Sequence, residues 1–391
     1  MTRNSLARYR GAEARWTGLA AHLMEPIRAL YRLDVEPAQA AERAEALALE
    51  QTVELPRTAI RDPVVEGEIL GRVEKVRTLP GGGALATVAF PVETTGFEPS
   101  QLLNVLFGNS SLERDVELVD VLLPPSLLSA LGGPRFGVEG IRKVLEVYGR
   151  PLTCTALKPM GLGPDALARI CFRFARAGVD VIKDDHGLAD QPFCPFEPRV
   201  HACQAAVAQV GRETGHHAVY APSLSGPPDR VLRHLRLAQQ VGVGAVLVAP
   251  MLVGIPVFWQ LVREEAAVPV LAHPAFAGGP RIAPDAFLGR LLRAFGADAV
   301  IYPHSGGRFS YGPETCRRIA DRLREPWSSL RAALPVPAGG IELERVEEVA
   351  AFYGPDVMLL IGGSLYEAGD ALEERTREFV ERVHSVAQAT K

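Results

Sequence analysis

From Leu152 onward, short apolar runs alternate with longer stretches in which apolar residues recur every three or four positions. The runs are Leu152–Pro159, Val179–Asp185, Ala218–Ser225, Ala245–Leu252, Val268–Phe276, Ala299–His304, Leu334–Gly340 and Val357–Gly363. Each has the length and continuity of a strand buried on both faces. Between them lie helix-like segments such as Pro164–Ala177, Pro228–Val241, Pro284–Phe295, Pro313–Arg324 and Leu343–Tyr353. Several open with proline, whose fixed φ and missing N–H suit a first helical turn. Eight strand-then-helix units in series predict an α/β fold with a parallel (β/α)8 TIM barrel, closed by a helix near Ala368–Val386.

The preceding region has a different texture. A strand-like start at Pro26–Leu33 is followed by an Ala/Glu-rich helix, Pro37–Leu49, and strand-like pieces around Glu68–Val76 and Ala84–Pro91. This predicts a small α+β domain over residues 24–134. The connection Gly132-Gly133-Pro134-Arg135-Phe136-Gly137 leads through a helix, Val138–Tyr148, into a barrel domain over residues 135–391. Residues 1–23 carry four arginines without the apolar block of a signal peptide and read as an N-terminal extension.

Composition narrows the function classes. The chain has 391 residues, 47% of them hydrophobic, and a formal charge of -4. That charge leaves no basic footprint for nucleic acid. No apolar run reaches the roughly 20 residues of a membrane span, so no membrane partner is expected. Five scattered cysteines without a CxxC pair predict reduced, buried thiols and a cytoplasmic protein.

A barrel builds its site at the C-terminal strand ends, and polar residues gather there. The first strand ends in Lys158, the second in Lys183-Asp184-Asp185-His186, the fifth in His273, and the sixth in His304 followed by Ser305-Gly306-Gly307-Arg308. Strand alternation puts Lys183 and Asp185 on one face and Asp184 on the other. Gly339-Gly340 and Gly362-Gly363 after the last two strands let backbone N–H groups approach an anion, which predicts a phosphorylated small-molecule substrate. Lys183 beside Asp185 is either a salt bridge or, if carbamylated by CO2, an anionic ligand for a hard divalent cation.

These residues resemble the RuBisCO large-subunit superfamily, and within it the RuBisCO-like (form IV) proteins. The resemblance runs from about residue 26 to 388. It rests on Phe107-Gly108-Asn109, Gly133-Pro134-Arg135-Phe136-Gly137-Val138, Leu157-Lys158-Pro159 with Gly161-Leu162-Gly163, Lys183-Asp184-Asp185, His273, His304-Ser305-Gly306 and Gly362-Gly363. It implies a ferredoxin-like N-terminal domain and a homodimer, or a higher oligomer of dimers, with Asn109 and Glu50 reaching the partner's barrel. It also implies a carbamylated Lys183 and Asp185 as Mg2+ ligands, with Lys158 as general base. His186 stands where a third ligand is usually Glu, which weakens Mg2+ or favours Mn2+ or Zn2+; alternatively it turns away and water takes that place.

Two lysines that carboxylases use are absent. Met160 occupies one position, and the loop from His304 to Gly312 carries Arg308 but no lysine. CO2 fixation is therefore not expected, while enolisation is intact. Pro274 and Ala338 replace an arginine and a serine of the distal phosphate site, so a single phosphate is expected. His273 and His304 are read as binding substrate hydroxyls or moving protons, and Arg308 as a clamp for a substrate carboxylate. The first expectation is metal-assisted enolisation or decarboxylation of a keto-sugar or keto-sugar-acid phosphate such as 3-oxo-isoapionate 4-phosphate. The alternatives are an enolase or isomerase of a methylthio-pentulose phosphate in sulfur salvage, and a non-catalytic phosphate-binding protein. A Schiff-base aldolase using Lys158 or Lys183 is a more distant one.

Overall fold

A computed structural model describes residues 25–389; the expected extension over residues 1–23 lies outside the described residues. The first region forms a four-stranded antiparallel sheet of β1 (Ile27–Leu33), β2 (Arg72–Thr78), β3 (Ala84–Phe90) and β4 (Val116–Leu122), in the order β2-β3-β1-β4. Along β1, Ile27, Ala29, Tyr31 and Leu33 are buried and the residues between them are not, the period-2 signature of a half-covered strand. The helix Ala40–Glu50 buries Ala44, Leu47 and Ala48 as it lies across this sheet. The strand expected around Glu68–Val76 begins later. Val65–Ile69 is a wide helical turn, and Gly71 then passes where a Cβ would stand 3.0 Å from the Phe90 ring and 3.2 Å from the Ala48 carbonyl.

Each of the eight apolar runs contains barrel strand. These are β5 (Leu152–Leu157), β6 (Val181–Asp184), β7 (Val219–Ala221) with β8 (Ser223–Leu224), β9 (Val246–Val248), β10 (Val270–Ala272), β11 (Ala299–Pro303), β12 (Leu334–Ala338) and β13 (Met358–Leu360). β7 and β8 are one run broken at Pro222, which has no N–H to give but whose carbonyl accepts from the Leu247 amide at 2.9 Å. Parallel ladders join β13-β5-β6-β7 and β8-β9-β10-β11-β12. β12 and β13 lie side by side without a ladder among the described residues.

Inside the barrel, Cys154, Val181, Leu247, Leu271, Ile301, Val336 and Met358 form a dry core. Its floor is closed by Val138, Ile141 and Leu145 of the helix Gly137–Leu145. Asp298 anchors that helix: its buried carboxylate accepts from the amides of Phe136 at 2.6 Å, Gly137 at 2.8 Å and Val270 at 2.9 Å. Gly137 is required here, because a Cβ would stand 2.4 Å from the Ala332 carbonyl and φ is +61°. A filled floor leaves the opposite, C-terminal rim as the place for chemistry. The five cysteines are buried and free. Among the described residues no helix is long and apolar enough to cross a membrane.

Candidate active site

Strand geometry sorts the charged run at the end of β6. Asp184 points outward and is wholly buried, holding the Arg199 Nε at 3.0 Å and accepting from Tyr220 Oη at 2.8 Å and the Ser223 amide at 3.0 Å. It ties β6 to its neighbours and takes no part in the mouth. Lys183 and Asp185 face inward. The Lys183 ammonium is buried above Cys154, with Nζ donating to the Asp184 carbonyl at 3.0 Å, and burial pushes its pKa down.

Asp185 is the hub of the mouth. Its Oδ2 contacts Lys158 Nζ, and its Oδ1 accepts from the Gly187 amide at 3.0 Å. Burial alone would raise its pKa, but Lys158, the Gly187 amide and Lys183 outweigh it and hold the carboxyl below its usual range. Lys158 is fixed at its base by Tyr366, whose hydroxyl accepts from the Lys158 amide at 2.8 Å and donates to the Ala156 carbonyl at 2.9 Å.

The two imidazoles of the mouth stack. The His186 and His273 rings lie 4.0 Å apart and 13° from parallel, with His186 Nδ1 3.4 Å from Asp185 Oδ1. His273 Nδ1 accepts the Ala275 amide at 3.1 Å, which puts the ring proton on Nε2. Burial and the nearby Lys183 charge push its pKa down to about 2, so it is a neutral donor. His304 does not join this group. It is buried against Tyr353, with Nδ1 2.9 Å from the Tyr353 hydroxyl, and burial together with Arg345 pushes its pKa down to about 4.

The two glycine pairs differ. Gly339 and Gly340, at φ +87° and +114°, are packed under the loop after β11: the Arg308 amide donates to the Gly339 carbonyl at 2.8 Å, and a Cβ on Gly339 would meet the Phe309 ring at 3.0 Å. Gly307 fits only as glycine, since its Cβ would stand 2.3 Å from the Gly339 carbonyl. The Arg308 guanidinium lies 5.8 Å from the Phe309 ring centroid, on the exposed side of the loop. Gly363, by contrast, faces open space, and a Cβ on Gly362 would meet nothing nearer than Lys158 Cε at 3.9 Å. Asn109 and Glu50 pair with each other at 2.8 Å on the N-terminal region, and neither bonds to the mouth residues of its own chain.

Sequence reasoning missed Tyr366 and Arg199. Tyr366 lies three residues beyond a glycine pair already singled out. Arg199 has no local signal, because its reason for burial is Asp184, far away in the helix–strand layer. Among the described residues no three His, Cys, Asp or Glu side chains form a ready cation cage. A carbamate on Lys183 would add oxygens to the set at Asp185, and the lowered pKa of Lys183 favours the neutral amine that CO2 requires. With that group the inward-facing residues fit a hard divalent cation: two anionic side chains, one imidazole nearby, and open positions for water and substrate.

The catalytic-domain model of the ribulose bisphosphate carboxylase large chain matches residues 137–278. Over 366 residues the chain is 48% identical to ribulose bisphosphate carboxylase-like protein 1 of Rhodopseudomonas palustris, covering 94% of this chain and 100% of that one. It is 47% identical to a 5-methylthioribulose-1-phosphate isomerase of Rhodospirillum rubrum, covering 93% and 98% of the two chains. The crystal structure of a RuBisCO-like protein from Rhodopseudomonas palustris superposes with a TM-score of 0.86 at 46% identity, over 92% of this chain and 98% of that one. Relatives matched at this identity over their whole length establish the family, and the chain belongs to the RuBisCO-like proteins of the ribulose bisphosphate carboxylase large-chain superfamily.

Proposed function

We propose that the protein isomerises a methylthio-ketopentose phosphate by enolisation. The observation that carries this reading is the meeting of Lys158 and Asp185 in front of Lys183, beside the open backbone of Gly362-Gly363. Gly363 and its neighbouring amides bind the single phosphate. Lys158, in its neutral form, takes a proton from the carbon next to the ketone, and Asp185 Oδ2, in contact with Nζ, positions that nitrogen over the substrate. His273 donates from Nε2 to the oxygen that gains charge. Return of the proton to the neighbouring carbon completes an isomerisation with no co-reactant.

A divalent cation, Mg2+ or Mn2+, held by a carbamylated Lys183 and Asp185, would supply positive charge to the enediolate oxygens. Met160 and the lysine-free loop after β11 support an isomerase rather than a carboxylase. The keto-sugar-acid phosphate expected first leaned on Arg308, whose guanidinium is exposed beside Phe309, whereas relatives named for an activity include an isomerase and enolases of methylthio sugar phosphates. Asn109 and Glu50 complete the site from a second subunit of a homodimer or oligomer of dimers.

The test is turnover in D2O. With 5-methylthioribulose 1-phosphate, Mg2+ and bicarbonate, deuterium is expected at the carbon next to the ketone, and Lys158→Ala and Asp185→Asn are expected to lower kcat by about 10²–10⁴. No deuterium in any keto-pentose phosphate with the unmodified protein would remove the reading.

A further inference from the structure

We infer that Met160 selects the substrate by its uncharged, sulfur-bearing end. The inference rests on the isomerase reading above and adds to it a residue for specificity. Met160 sits on the loop after β5 and is 56% exposed, an unusual cost for a large apolar side chain at the edge of a charged site. It is nonetheless held in place. Its Sδ is 3.8 Å from Gln191 Nε2, and the same nitrogen donates to the Gly187 carbonyl at 2.7 Å while Gln191 Oε1 accepts the Ala189 amide at 2.9 Å. Gln191 is thus a positioning residue that pins the thioether to the loop carrying Asp185.

The order of contacts across the mouth gives the substrate its direction. A Cβ built on Gly362 would stand 3.9 Å from Lys158 Cε, Lys158 Nζ touches Asp185, and a Cβ built on Gly187 would stand 3.3 Å from Asp185 Oδ1 and 3.5 Å from the Met160 methyl. A ketopentose with its phosphate on Gly362-Gly363 lays its reacting carbons over Lys158 and Asp185 and brings its far end to Met160. That end meets a methyl and a polarisable sulfur instead of an ammonium, so an alkylthio substituent is favoured over a hydroxyl or a second phosphate.

The experiment compares kcat/KM for 5-methylthioribulose 1-phosphate and for ribulose 1-phosphate, its 5-hydroxy counterpart. Met160→Gln, of similar shape but polar, is expected to reduce the preference for the methylthio substrate about 10-fold or more. Met160→Leu is expected to hold that preference within about twofold. Equal preferences in the Gln variant and the unmodified protein would overturn the role of Met160 and leave the isomerase reading standing. Absence of turnover of either compound by the unmodified protein would overturn both.

Discussion

At the residue scale, the mouth was legible where strand alternation decides direction and illegible where long-range partners decide it. Lys158, Lys183, Asp185 and His273 converge because each lies at or just past a strand end with inward parity, and His186, beyond the end of β6, joins them by stacking on His273. His304 ends a strand too, but its parity is outward, and it packs on Tyr353 among the helices. Its titration is therefore a matter of stability. The native state holds this ring neutral down to about pH 4, whereas an unfolded chain takes up the proton below about 6.5. The unfolded state binds more protons in that window, so stability falls as pH drops from about 6.5 to about 4. Between pH 6.5 and 5 the unmodified protein is expected to lose about 1.5 kcal/mol more than His304→Gln, as read by urea unfolding at each pH. Parallel losses in the two proteins would contradict the assignment.

At the element scale, continuous apolar runs announced the barrel strands and proline-led amphipathic stretches the helices. Two elements show the limits of pattern. The helix Phe196–Thr214 buries Arg199 and Cys203 beside Val200, Val207 and Val210, so its inner face is not uniformly apolar. Val65–Ile69 is a single wide turn, too short for a helical period to declare itself before β2. Invisible in the sequence is the ionic junction between the two regions. Asp120 on β4 lies 2.9 Å from Arg290 Nε and 2.7 Å from Arg322 Nη2, and Arg290 also faces Glu325 at 3.2 Å. Arg290 is buried, so removing Asp120 leaves a guanidinium short of countercharge. Asp120→Ala is expected to cost about 3 kcal/mol in denaturant unfolding. A change within experimental scatter would show that the junction contributes nothing.

At the scale of the whole molecule, the single chain holds two incomplete halves of one proposed site: Lys158 and Asp185 in the barrel, and the Asn109–Glu50 pair on the N-terminal sheet region. Mixed subunits test whether they are shared. Lys158→Ala and Asn109→Ala are each expected to lower activity, and refolding them together in equal amounts is expected to restore about a quarter of the unmodified rate, since half the dimers would carry one intact site. No recovery on mixing would confine the site to one chain. The barrel itself carries a further implication. Its cylinder is zipped by backbone ladders everywhere except along the line between β12 and β13, and the two glycine pairs emerge on opposite banks of that line. An anion on the Gly362-Gly363 bank would sit beside this unzipped line, so that filling the site and stiffening the scaffold there become one event.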